Sequence, residues 1–400
     1  MNNECPRKFR MVALDLDGTL LNSDHDISST TIAYLRYLHS KKFIIAIATG
    51  RSAACAAHVI DKLDLLHYDD DECGDAVSST SERAASGFPL VCTNGARGLK
   101  IVRKSKSDVG QHNQHENMPE EAKKHSPHRS NTLPLPSENS KSSKESTNPF
   151  LNQTLFISEE LFHDPLPISV TKQTLQLANK LNCVTNYYHN HHIYAVPRNN
   201  KQLELTRRYA KLTGSSELYC YLNNYEENGD ELADDAGVYD RDNVYGYQKA
   251  LELGPPSKLL ILCETDKLDE VTNIVRSELN GGGSSSINAS NSDEDDGQCQ
   301  QSTNTIANVI RGTPPFFVEI LNPTVHKGHG LRQLCTSLSI PLDEVLVFGD
   351  GDNDLEFLDM AGWGIAMKNA RVNVKEQADE VTRWTNDEVR KNQVASIYIG

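Results

Sequence analysis

The run Met11-Val12-Ala13-Leu14-Asp15-Leu16-Asp17-Gly18-Thr19-Leu20-Leu21 decides the architecture. Its first four residues form a short apolar stretch, the pattern of a strand buried on both faces. Two aspartates follow at once, separated by a single leucine. In an extended segment, residues two apart point to the same side, so Asp15 and Asp17 are expected to converge just past the strand's carboxyl end. Gly18 lets the backbone leave sharply. Two carboxylates held together repel unless a cation or a proton intervenes. Such a pair can divide labour, one attacking and the other carrying a proton to a leaving oxygen. Taken alone, the same residues also describe a solvated acidic turn.

Working outward, Ser28 or Ser29 can cap a helix that carries Ile32, Leu35 and Leu38 on one face. A second apolar strand is expected at 43–48. Strand, helix and strand in this order imply a parallel sheet with a right-handed crossover. The C-terminal part repeats the pattern: Leu331, Leu334 and Leu338 mark a helix, 345–348 a strand, 355–361 a helix and 365–367 another strand. The two ends therefore build one doubly wound parallel-sheet α/β domain, with its site beyond the carboxyl ends of the strands. Between them lie helix patterns at 168–181, 202–212 and 268–279, and strand patterns at 184–188, 193–196, 259–262, 306–311 and 316–320. These predict an inserted α+β domain. The expected division is 1–93 and 322–400 for the core and 94–321 for the insertion. Segments 69–87, 104–148 and 280–305 are too poor in large apolar residues to offset chain entropy and are read as flexible insertions.

A second acidic group, Gly349-Asp350-Gly351-Asp352-Asn353-Asp354, again directly follows an apolar strand. Asp350 and Asp354 can face one crevice, and several hard oxygen ligands suit magnesium. A calcium loop of the helix-loop-helix type needs a glutamate where this chain has Ala361. Thr49-Gly50-Arg51 closes the second strand at the start of a helix, where a hydroxyl and backbone N–H groups can hold phosphate. As a tripeptide it also serves as a plain helix cap. Lys327 begins another helix; a lone lysine there is ordinarily surface.

The bulk properties narrow the partners. The chain has 400 residues and a formal net charge of −15, with no basic patch to offset it, so no nucleic-acid partner is expected. Nine scattered cysteines without a CxxC pair read as free thiols in a reducing compartment. No apolar stretch is long enough for a signal peptide or a membrane span, so no membrane partner and a cytoplasmic location are expected. His189, His191 and His192 read as a hairpin turn facing the substrate cleft rather than as a metal site. Nothing in the sequence implies an oligomeric state.

The four segments carrying Asp15, Thr49, Lys327 and Asp350, in that order, resemble the haloacid dehalogenase superfamily. The likeness covers about 9–51, 91–98 and 316–395. Cys92-Thr93-Asn94-Gly95-Ala96, Val318-Glu319-Ile320 and Gly364-Ile365-Ala366-Met367-Lys368-Asn369-Ala370 are similar to segments of the Cof-type, class IIB members, which carry an α+β cap. Asn386-Asp387-Glu388-Val389 departs from them in lacking a glycine. The resemblance implies a phosphatase of small phosphorylated metabolites: sugar phosphates, or nucleotide- and cofactor-type monophosphates. It implies attack by Asp15 with an aspartyl-phosphate intermediate, and acid–base work by Asp17. It further implies Mg²⁺ held by the Asp15 carboxylate, the Asp17 carbonyl and the Asp350 carboxylate, with Asp354 behind them. Leu16 N–H, Thr49, Gly50, Lys327 and Asn353 would surround the phosphoryl oxygens. Like charges about 4 Å apart cost roughly 4 kcal/mol at an effective dielectric near 20, so these carboxylates and a phosphate dianion require the cation. Two alternatives stay open. One is a phosphomutase with the same chemistry; the other is a non-catalytic binding or scaffold protein.

Overall fold

The computed structural model describes residues 9–66, 87–103, 155–223, 244–281 and 305–388. The segment expected as a flexible insertion at 104–148 lies outside these residues, as do 69–86 and 282–304 of the other two. Helix α6 carries Asn280 as its last residue (Leu268–Asn280).

The first sheet is built from β1 (Met11–Leu14), β2 (Ile44–Ala48), β3 (Phe88–Cys92), β4 (Arg97–Arg103), β5 (Leu155–His163), β12 (Val345–Gly349), β13 (Trp363–Ala366) and β14 (Glu380–Val381). Their spatial order is β14-β13-β12-β1-β2-β3-β4-β5. From β14 to β3 the strands run parallel, and β4 and β5 are added antiparallel. Alternation along each strand feeds two cores. Val12, Leu14, Ile45 and Ile47 pack on one face with α1 (Ser29–Ser40) and α2 (Ala53–Leu63). Met11, Ala13, Ala46, Ala48, Val345 and Val347 pack on the other with α7 (Lys327–Leu338), α8 (Leu355–Asp359) and α9 (Val372–Gln377). This two-sided burial is why the parallel strands read as unbroken apolar runs. Ser28 caps α1 as expected, its hydroxyl accepting from Thr31 N–H at 3.1 Å.

The second sheet has the order β10-β11-β9-β6-β7-β8. Its strands are β6 (Val184–His189), β7 (His192–Ala195), β8 (Tyr219–Tyr221), β9 (Lys258–Leu262), β10 (Asn308–Arg311) and β11 (Phe317–Leu321). All neighbours pair antiparallel except β7 and β8. Helices α3 (Ile168–Lys180) and α6 share one core with it, while α4 (Asn200–Thr213) contributes Leu205 and Tyr209 to the core on the other face. Helix α5 (Gln248–Leu253) adds Ala250 to the α3–α6 core.

The boundary expected at residue 94 is corrected by the strand pairing. Arg97–Arg103 and Leu155–His163 extend the first sheet, so the second unit begins only after His163. The physical reason is the Asn94-Gly95 turn: Asn94 has φ 56° and Gly95 φ 100°, which folds β4 back antiparallel onto β3. The crossing segments are pinned where they leave and return. Asp164 N–H donates to Ala96 O at 2.8 Å, and Asn322 Nδ2 to Pro165 O at 3.1 Å.

Candidate active site

β1 and β12 are neighbours, although their sequences lie more than 300 residues apart. From β1 the chain proceeds to β2 and β3 on one side, while β12 leads to β13 and β14 on the other. Their junction is therefore the point where strand order reverses, and a crevice opens beyond the carboxyl ends there. Leu14 pairs with Phe348, and Asp15 N–H donates to Phe348 O at 3.0 Å. Asp15 and Asp350 thus emerge side by side.

Asp15, Asp350 and Asp354 each bring a carboxylate oxygen within 4.8 Å of the others. Lys327, the first residue of α7, is 1% exposed. Its ammonium donates to Asp15 Oδ1 at 2.5 Å and to Asp354 Oδ1 at 2.6 Å. Read alone this lysine would be surface, while the resemblance sets it at the phosphoryl oxygens; it is a buried cation under the nucleophile candidate. Asp354 Oδ2 accepts the backbone N–H groups of Asp350 and Gly351 at 3.0 and 2.9 Å. One of its oxygens thus shapes the 350–354 loop while the other holds Lys327, so Asp354 stands behind the cluster. Asp350 Oδ1 accepts from Thr19 Oγ1 at 3.1 Å. Gly18 has φ +85°, and a Cβ there would collide with the Asp350 carboxylate, so only glycine fits this approach.

Burial pushes the Asp15 carboxyl well above the usual carboxylate range; Lys327 pulls it down, and Asp354, Asp350 and Asp17 add to the rise. Asp350 is pushed up to about 6, by burial first and then by Asp354, against the Thr19 hydrogen bond and Lys327. For Lys327, burial works to lower the value, but Asp15 and Asp354 together outweigh it and hold the ammonium charged. The site thus concentrates negative charge that one lysine does not neutralise, and this group of carboxylates, with Asp354 behind Asp15 and Asp350, could hold a metal ion.

The side chain of Asp17 does not join this group. The chain stops being extended after Leu14, which ends the two-residue periodicity, and Asp17 turns to Arg51. Arg51 Nε and an Nη donate to its two oxygens at 2.8 and 2.5 Å, and His25 Nδ1 lies 3.8 Å away. Leu16 is fully buried, its carbonyl accepting from Leu21 N–H at 2.8 Å. Thr49 follows β2, next to β1 in the sheet; its hydroxyl accepts from Arg51 N–H at 3.1 Å. Helix α2 starts only at Ala53, so Thr49 and Gly50 form the turn before it rather than its first turn. Asn353 Nδ2 donates to Asn94 Oδ1 at 3.2 Å.

Contributors not singled out from the sequence include Thr19, Arg51 and Asn94, together with Glu319, which accepts from Asn94 Nδ2 at 2.5 Å. Arg51 was visible beside Thr49 and Gly50. Glu319 carried a clear signal, a charge in the otherwise apolar stretch Phe316-Phe317-Val318-Glu319-Ile320-Leu321. His189, His191 and His192 do form the β6–β7 turn. His191 is buried and lowered to about 4, chiefly by desolvation and then by Arg97 and His192. Arg97 of β4 donates to Asn190 O at 3.3 Å, which ties this turn to the first sheet. Among the described residues the six cysteines are unpaired, and no helix is long and apolar enough to cross a membrane.

A doubly wound sheet with an acidic cluster at its reversal point defines a family. The chain belongs to the haloacid dehalogenase-like hydrolases, whose model matches residues 12–96 and 156–389. It is similar to the phosphoglycolate phosphatase of Methanothermobacter thermautotrophicus, 38% identical over 73 residues. That match covers 18% of this chain and 33% of the relative. In fold it is similar to a haloacid dehalogenase-like hydrolase from Bacteroides thetaiotaomicron, with a TM-score of 0.56 and 20% identity over 95% of this chain and 96% of that one. It is also similar to the subclass IIB sugar phosphatase BT4131, with a TM-score of 0.55 and 16% identity over 95% of both chains.

Proposed function

We propose that the chain is a magnesium-dependent phosphatase of small phosphorylated metabolites, with Asp15 as the group that takes the phosphoryl. The observation that carries this reading is the buried Asp15 carboxylate at the reversal point, touched by Lys327 and grouped with Asp350 and Asp354. Asp15 attacks phosphorus, the P–O bond to the leaving group breaks, and an acyl phosphate forms on Asp15. Asp17 enters the cycle protonated and gives that proton to the departing alkoxide, then takes one from the water that attacks the acyl phosphate, which restores the Asp15 carboxylate and the Asp17 acid and releases inorganic phosphate. To do so Asp17 exchanges one of its bonds to Arg51 for the leaving oxygen. Asp15, the Asp17 carbonyl and Asp350 would hold the ion, which when bound would supply positive charge against the phosphoryl oxygens. Lys327, Thr49, Gly50, Asn353 and the Leu16 N–H surround those oxygens, and Lys327 works against burial in favour of the ionised nucleophile. Positioning and charge stabilisation of this sort are what phosphoryl transfer needs most. The second sheet, joined to the first through two short crossings, acts as the cap that bounds the substrate pocket.

The test is hydrolysis of p-nitrophenyl phosphate and a panel of sugar and nucleotide monophosphates by the purified protein, with magnesium and with chelator. Turnover is expected with magnesium and without a bisphosphate activator, and Asp15→Asn is expected to abolish it in a folded protein. Undiminished turnover by Asp15→Asn would overturn the assignment.

A further inference from the structure

A second chain of buried polar contacts runs from the second sheet into the first. Lys258 opens β9 and is 1% exposed. Its ammonium donates to Glu319 Oε1 at 3.1 Å and to the carbonyl of Gly50 at 2.9 Å, and lies 4.9 Å from the centre of the Tyr188 ring. The other oxygen of Glu319 accepts from Asn94 Nδ2 at 2.5 Å. An ionised carboxylate only accepts, so this bond fixes which way the Asn94 amide points. Its Oδ1 is thereby turned toward Asn353, whose Nδ2 donates to it at 3.2 Å. Gly50 packs on the same amide: a Cβ there would lie 2.8 Å from Asn94 Oδ1. The Gly50–Arg51 peptide is held at both ends, its carbonyl by Lys258 and its N–H by Thr49 Oγ1.

A buried lysine–glutamate pair contributes little net stability, because desolvating two charges offsets their attraction; what it can supply is a defined geometry. Here its bonds end on Gly50 and, through Asn94, on Asn353. We propose that Lys258 and Glu319 are positioning residues for phosphate binding, holding Gly50 and Asn353 in place from the second sheet through Asn94. The proposal rests on the phosphatase reading and deepens it. One N–H of the Asn353 amide is engaged by Asn94, which leaves the other for a phosphoryl oxygen. The Gly50 carbonyl, which would repel that oxygen, is tied to Lys258. Phosphate affinity then depends on how the second sheet is seated on the first.

The experiment compares wild type with the double variant Lys258→Met/Glu319→Met, which leaves no charge buried without a partner, and with Asn94→Gly, which keeps the ion pair and tolerates the left-handed backbone at that position. The readouts are KM and kcat for p-nitrophenyl phosphate with magnesium, the inhibition constant of inorganic phosphate, and Tm. Both variants are expected to raise KM and the phosphate inhibition constant about tenfold or more, the scale of one lost hydrogen bond involving a charged group, with kcat reduced less. A purely structural role would lower Tm and the active fraction but leave both constants unmoved. Folded variants whose KM and phosphate inhibition stay within about twofold of wild type, well under that hydrogen-bond scale, would overturn the proposal. Should the double variant not fold, Asn94→Gly decides. If wild type itself neither hydrolyses the ester nor binds phosphate, the phosphatase reading fails and this proposal with it. If wild type is active and the variants match it, only the positioning role fails.

Discussion

Asp15 sits where an aspartate is least comfortable, buried with two further carboxylates and one lysine for company. The consequence is a specific dependence on pH and metal. Asp350 is raised to about 6, and Asp15 is raised as well, both chiefly by burial. A carboxyl whose folded value exceeds its unfolded one binds protons the unfolded chain has already lost. From about pH 4 to about pH 6, therefore, Asp350 in the metal-free site costs stability as pH rises, and Asp15 acts in the same direction. A divalent ion needs the ionised oxygens and reverses that cost. Magnesium is expected to raise Tm clearly at about pH 7.5 and hardly at all near about pH 5, where protons compete for the same oxygens. Equal stabilisation at both pH values in thermal unfolding would show that these carboxylates do not hold the ion. At this scale strand-end aspartates leave a local signature, which set Asp15, Asp350 and Asp354 at strand ends; Lys327, which on its own reads as surface, joined them only through the family resemblance. The sequence reading misdirected the Asp17 side chain, since the break in extended backbone after Leu14 and the pull of Arg51 are tertiary facts.

Among the elements, α7 carries the most consequence, because its first residue must lie beneath Asp15. Two glycines allow that approach. A Cβ on Gly330 would meet Val91 Cγ1 at 2.5 Å and Gly95 Cα at 2.7 Å, and one on Gly95 would strike the His326 carbonyl. Gly330→Val is thus expected to push α7 away from the turn at 93–95. Overpacking of this kind costs about 1–3 kcal/mol, which urea denaturation would read, and turnover should fall further than stability as Lys327 loses Asp15. Normal activity in a destabilised Gly330→Val would detach the helix position from the chemistry. α5 and α9, six residues each, and β3 were not read, whereas α1, α3, α4, α6 and α7 were legible from regular apolar periods and β1, β2 and β12 as unbroken apolar runs. β4 and β5 were not. Arg97-Gly98-Leu99-Lys100-Ile101-Val102-Arg103 alternates only in part, and it pairs on the margin of the sheet with a strand more than 50 residues later. The likeness of the Asn94 segment to a cap entry then placed the boundary too early. β8, three residues long, offers too short a period to read.

Over the whole molecule, strands from the two ends of the chain close the site and the sequence between them folds around a second sheet. The pairing of Arg103 with Leu155 brings the ends of β4 and β5 together as an antiparallel hairpin does. Replacing 104–154 by an Asn-Gly turn is therefore expected to preserve the fold and to leave kcat/KM within about twofold, since two residues suffice to join such strands. A large loss of activity would assign that segment a part in catalysis. The most direct test of Asp15 as phosphoryl acceptor is borohydride trapping during turnover, with the labelled residue located by peptide mass spectrometry. Reduction of the acyl phosphate is expected at position 15 alone, and only when substrate and magnesium are both present. Steady turnover with Asp15 unmodified, or with the label on another aspartate, would contradict the account.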